Sequence, residues 1–186
     1  MQEEAGTSLT STSSPDTGPA SAPADGRSRL YAVLLTSAVL TLVADQGSKI
    51  WALRTLEPGV PKPLIGDWIR LNLIWNSGAA FSLGDKVTWL LTALSIVIVI
   101  VVAVSARKVA STGWALTFGL LLGGAIGNLI DRVFREPKAF QGHVVDFLDY
   151  FGFFIGNVAD IAIVLAAGMV VWLTLRGTKP DGTPHE

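Results

Sequence analysis

Residues 123–160 set three carboxylates, Asp131, Asp146 and Asp160, at the edges of segments that otherwise read as membrane. A charge at the centre of a spanning helix costs about 2.5–3.5 kcal/mol on insertion scales, so such carboxylates read first as functional. Asn128 stands three residues before Asp131 and Asn157 three before Asp160, so each Asn-x-x-Asp pair projects from one helical face. The chain has no cysteine, and His143 is the only histidine near the apolar segments. Thiolate catalysis, thiolate metal sites and a serine–histidine pair are thereby set aside. Two close aspartates remain able to do chemistry, because they cannot both ionise cheaply. They share a proton, one activating water while the other protonates a scissile carbonyl or leaving amine. The rival is a divalent metal on several carboxylates, which calls for a denser acidic motif than these spacings give.

The surroundings select the pair. Asp131 has Arg132 beside it and Asn128 on its face, an arrangement expected to hold it ionised as an orienting group. Asp146 lies among Val144, Val145, Phe147 and Leu148 with no adjacent cation, where a shared proton is easier to keep. Asp160 falls in the first turn of an apolar segment, where the helix dipole favours negative charge. The expected dyad is Asp146 with Asp160, the proton resting nearer Asp146.

Positioning these groups requires four spans. The 186 residues are 50% hydrophobic and 16% charged, with a mean hydropathy of +0.49 and net charge −1. That suits a compact integral membrane protein and gives nucleic acid no basic surface to bind. Residues 1–28, rich in Ser, Thr, Pro, Ala and Gly, predict a disordered tail. Residues 30–53 predict the first helix, ending in Asp45, Gln46, Ser48 and Lys49. Asp45 and Lys49, four apart, can pair on one face, either as a headgroup anchor or to position the site. Residues 57–86 change character: prolines break helix, residues 69–75 follow a mostly period-2 pattern, and Asn76-Ser-Gly supplies a turn. Trp68, Trp75 and Trp89 suit an interfacial belt.

Residues 87–106, 114–133 and 156–175 predict the remaining spans, the third carrying Gly119, Gly123 and Gly127 for close helix packing. A polar loop carrying Val-Val-Asp-Phe joins the third span to the fourth, and a polar tail follows over residues 177–186. Both termini then share one side, and Asp45, Asp131, Asp146 and Asp160 share one level at the other. Lys and Arg are balanced across the two sides, so charge does not orient the chain.

With these elements in place, five segments resemble the bacterial lipoprotein signal peptidases, signal peptidase II. They are Asp45-Gln-Gly-Ser-Lys49, Asn76-Ser-Gly-Ala-Ala-Phe81, Gly123-Gly-Ala-Ile-Gly-Asn-Leu-Ile-Asp-Arg132, Gly142-His-Val-Val-Asp-Phe147 and Asn157-Val-Ala-Asp160, in family order. The resemblance implies an all-α membrane protein: four transmembrane helices with a small extracytoplasmic β cradle over residues 57–86, inside a peptidase domain of residues 29–176. It implies an aspartic endopeptidase that cuts just before the diacylglyceryl-modified cysteine of a prolipoprotein, with Asp146 and Asp160 catalytic and no metal or organic cofactor. Asn76, Asn128, Asp131, Arg132, Asn157, Asp45 and Lys49 fall on its substrate-binding or orienting positions. The expected partners are prolipoproteins and membrane lipids, and the expected location is the cell membrane, with cytoplasmic termini and the site near the outer face.

The chain departs from the family pattern at Gly156, where Phe is usual, and at Ile161, where a small polar residue is usual. The alternatives are a metal-dependent phospholipid-headgroup transferase and a non-catalytic transporter or assembly factor.

Overall fold

The computed structural model describes residues 24–78 and 88–181. Among the described residues, four helices are long and apolar enough to cross a membrane: α1 (Ala24–Thr55), α2 (Thr88–Ala106), α3 (Thr112–Phe134) and α4 (Val158–Leu175). Between α1 and α2 lie β1 (Lys62–Ile65) and β2 (Ile69–Asn76), and between α3 and α4 lie β3 (Val144–Tyr150) and β4 (Phe154–Gly156). The strands form one antiparallel sheet in the order β1-β2-β3-β4.

The helices pack through small residues, as the glycine spacing predicts. A Cβ on Gly123 would lie 2.5 Å from the Ala38 carbonyl and 2.6 Å from Thr41 Cβ, and one on Gly119 would meet Ser37 and the Leu34 carbonyl. On another face of α3, Gly124 sits against the Ala159 carbonyl of α4. Bare backbone on α3 thus lets α1 and α4 approach. Farther from the sheet, Leu34, Trp114, Phe118, Leu122 and Leu173 form the apolar core.

Three expectations change. First, α1 begins at Ala24, before residue 30, so the end of the expected tail is helical, while residues 1–23 lie outside the described chain. The extension is held at the polar end of the bundle, where Arg27 Nη2 and the Tyr31 hydroxyl donate to the Arg107 carbonyl. Second, the connection carrying Asp146 is a strand paired with β2 and β4. Its sequence alternates as a strand should, Val145 and Phe147 turning to Leu73 and Ala52 while Asp146 turns the other way. The sheet therefore extends beyond residues 57–86. Third, Gly156 closes β4, and α4 starts at Val158, capped by Asn157.

The Asn76 turn forms as expected, Gly78 N–H donating to Asn76 Oδ1 at 2.8 Å. Residues 79–87, including Phe81 of the second motif, lie outside the described chain. Trp68, Trp75 and Trp89 are exposed on the sheet and on the end of α2 beside it. The opposite end of the bundle gathers the start of α1, the α2–α3 loop and residues 178–180, where Ala110 N–H donates to the Pro180 carbonyl.

Candidate active site

The polar residues singled out in the sequence meet where the sheet rests on the ends of α1 and α3 and the start of α4. Asp146 faces inward from β3 and is 1% exposed. Its Oδ2 accepts from Asn76 Nδ2 at 2.8 Å and its Oδ1 from Asn157 Nδ2 at 2.6 Å. Burial pushes its carboxyl up to about 6, against the opposing pull of the Asn76 amide; nearby Asp160 pushes the same way as burial, and the Asn157 amide and Lys49 pull down.

Asp160 sits at the third position of α4 in a reciprocal cap. Its Oδ2 accepts from the Asn157 backbone N–H at 3.1 Å, and its own N–H donates to Asn157 Oδ1 at 3.0 Å. Its Oδ1 accepts from Asn128 Nδ2 at 2.9 Å. Asn157 Nδ2 also donates to Asn128 Oδ1 at 3.1 Å, so two asparagines join the two carboxylates through one connected network. Gly156 fits closely there: a Cβ would lie 2.8 Å from Asp160 Oδ2 and 2.7 Å from the Phe154 ring, so a side chain would displace one or both. The departure from Phe at this position thus has a local cause, since the Phe154 ring occupies the space.

Beneath this network lies a buried ion cluster. Lys49 Nζ, fully buried, is 2.8 Å from Asp45 Oδ2, 2.9 Å from Asp131 Oδ2 and 2.9 Å from Asn128 Oδ1. The reading of Asp45 and Lys49 as a headgroup anchor therefore falls, because neither touches solvent. Asp45 Oδ1 also accepts from the Ala159 N–H at the start of α4. Lys49 fixes Asn128, since a carbonyl oxygen held by an ammonium turns the amide nitrogen toward Asp160.

Asp131 has partners beyond the neighbouring Arg132 guanidinium. Asp131 is held by Lys49 and by Arg135, whose Nε is 2.6 Å from Oδ1, and its Oδ2 accepts from the Val145 N–H. Consecutive helical residues point about 100° apart, whereas positions i and i+4 share a face, so the Asp131–Arg135 spacing was the signal. Arg132 turns its guanidinium within electrostatic reach of Asp146, Asp131 and Asp160, with Nη1 buried and unbonded. Gln46, which donates to Asp45 Oδ2 and the Gly127 carbonyl, was a second omission from the site. Among the described residues, no group of three or more His, Asp or Glu is gathered as metal ligands.

Four helices apolar enough to cross a membrane, a small sheet, and the buried Asp146 joined by asparagines to the partly buried Asp160 at their junction are the framework of an integral membrane enzyme. Residues 37–176 match the family model for signal peptidase (SPase) II, and the chain belongs to that family. It is 45% identical over 158 residues to the lipoprotein signal peptidase of Streptomyces coelicolor, covering 85% of this chain and 78% of that protein. It is 48% identical over 151 residues to that of Rhodococcus jostii, covering 81% and 76%. A solved bacterial membrane enzyme superposes with a TM-score of 0.68 at 26% identity, covering 79% of this chain and 95% of that one.

Proposed function

We infer that this chain removes signal peptides from prolipoproteins as an aspartic endopeptidase, with Asp146 and Asp160 as its catalytic pair. The observation that carries the residue assignment is the network in which Asn157 and Asn128 tie both carboxylates together at the sheet–helix junction. A protonated Asp146 hydrogen-bonds the scissile carbonyl oxygen and polarises its carbon. Asp160 takes a proton from water, whose oxygen attacks that carbon, while Asp146 delivers its proton to the forming alkoxide. The tetrahedral adduct collapses as the C–N bond breaks; the proton on Asp160 passes to the leaving amine, and the gem-diol returns a proton to Asp146. Lys49 and Asp45 hold Asn128 and the start of α4, and Arg132 is aimed at the substrate.

The substrate bond lies just before a diacylglyceryl-modified cysteine. A lipid anchor keeps that bond at the interface, so it reaches a pair of this depth by lateral diffusion. The reading places both termini in the cytoplasm and the sheet outside. Membership of the signal peptidase II family supports it rather than charge, since Arg135 and Lys138 in the α3–β3 connection balance Arg107 and Lys108 in the loop at the other end.

The test is a gel-shift assay of a lipidated precursor. Asp146→Asn and Asp160→Asn should each lower cleavage by about 10²–10⁴-fold, as expected for loss of a general acid or base. Near wild-type cleavage by either variant would remove the dyad, and loss of activity in EDTA would favour the metal-dependent alternative.

A further inference from the structure

Two grooves meet at one aromatic ring beside Asp160. The first, about 300 Å³, is walled by Ile74, Trp75 and Asn76 of β2 and by Phe153, Phe154 and Ile155. The second, also about 300 Å³, is walled by Tyr150, Phe154, Ile161, Val164 and Leu165, with Asp160 at its head. Phe154 is the one residue lining both. Its ring covers Gly156 and stacks on Tyr150 at 6.2 Å between centroids, so it stands as a partition.

The grooves differ in chemistry. The first carries the Asn76 amide, which bonds Asp146, and opens over the sheet. The second runs along the exposed face of a membrane-crossing helix. Val164 and Leu165 lie four and five residues past Asp160, roughly 6–8 Å deeper along the axis. Whatever fills this groove and also reacts at Asp160 is alkyl at one end and peptidic at the other.

We propose that Phe154 divides a lipid-modified substrate between these grooves, an acyl chain lying along Tyr150, Ile161, Val164 and Leu165 and the polypeptide passing over β2 and β4. The proposal rests on the peptidase reading and adds to it the place of the lipid. A chain attached beside the scissile bond and seated in the second groove fixes that bond at Asp160, converting apolar burial into alignment. A narrower cleft of about 160 Å³ between α2, α3 and α4, lined by Ile98, Ala125 and Asn128, does not reach either catalytic carboxylate.

The experiment uses the full-length enzyme in detergent and two precursors of identical peptide, one carrying a dibutanoyl and one a dipalmitoyl glyceryl group. Wild type should favour the dipalmitoyl precursor by roughly tenfold or more in kcat/KM, because each buried methylene adds affinity. Val164→Trp fills the groove and should bring that preference close to unity by lowering kcat/KM on the dipalmitoyl precursor far more than on the dibutanoyl precursor. Leu165→Trp serves the same purpose should Val164→Trp not fold. Phe154→Ala merges the grooves and should lower kcat on the dipalmitoyl precursor more than it raises KM. Val171→Trp, two turns further along α4 and outside the groove, should keep the wild-type preference.

The proposal is overturned if folded Val164→Trp keeps the full preference, if it loses both precursors equally, or if Ile98→Trp abolishes the preference instead. A groove occupied only by bilayer lipid would give the first of these results. A wild-type enzyme that cleaves neither precursor would instead overturn the peptidase reading.

Discussion

Asn157 uses every polar atom of its side chain within a few ångströms of both aspartates. Its Oδ1 caps α4 through the Asp160 N–H, and its Nδ2 donates to Asp146 and Asn128. The proton on Asp146 is where this arrangement becomes measurable. With the carboxyl raised to about 6, kcat/KM should fall at high pH along a limb governed by Asp146, in a field set also by Asp160, Lys49 and Arg132. Asn76→Ala removes a donor that favours the charged form, so that limb should move up by roughly one pH unit in a pH–rate profile. Stability carries the matching sign. A carboxyl whose folded value lies above its unfolded value contributes stability below about 4 that is lost as pH rises through about 6. Asp146→Asn should therefore raise the thermal midpoint more at pH 8 than at pH 5. The meeting of Asp146 and Asp160 at one junction was legible in the sequence because a carboxylate amid apolar residues has few bland explanations. The ion pair of Asp131 with Lys49 was not, because Lys49 belongs to another helix that only packing brings near.

Among the elements, α1 and α3 are bound by backbone proximity above and by charge below. Gly123→Ala puts a methyl against the Ala38 carbonyl and should cost about 1–3 kcal/mol, read as a lower thermal midpoint in detergent. Gly168→Ala on α4, where a Cβ meets nothing within 4 Å, should instead gain about 0.5–1 kcal/mol. The helices and β2 could be read from apolar run length and from period-2 alternation. Strand β3 escaped because Val144-Val-Asp-Phe sits in a stretch bounded by polar residues, and its buried face becomes apparent only once β2 and α1 are beside it. Helix α4 starts at Val158, later than the apolar run implies, because the backbone of Gly156 belongs to β4.

At the scale of the molecule, the polar work is divided between two ends. The end away from the sheet is closed by residues 178–180: buried Trp114 donates its Nε1–H to the Thr178 carbonyl, and Ala110 N–H donates to Pro180. Ending the chain at Gly177 should cost about 1–3 kcal/mol in thermal stability, since the indole N–H is left without that acceptor. The rate of precursor cleavage should be unchanged, because the site lies at the other end.

Asp45 of α1 accepts a hydrogen bond from Ala159, the second residue of α4, across 114 positions of sequence. Helix α1 therefore supplies part of the cap on α4, which is made much later. During synthesis, a chain that has released only three helices holds Asp146 without Asp160 and Asp45 without its distant partner. The junction that joins the two carboxylates is thus assembled only once α4 has been made.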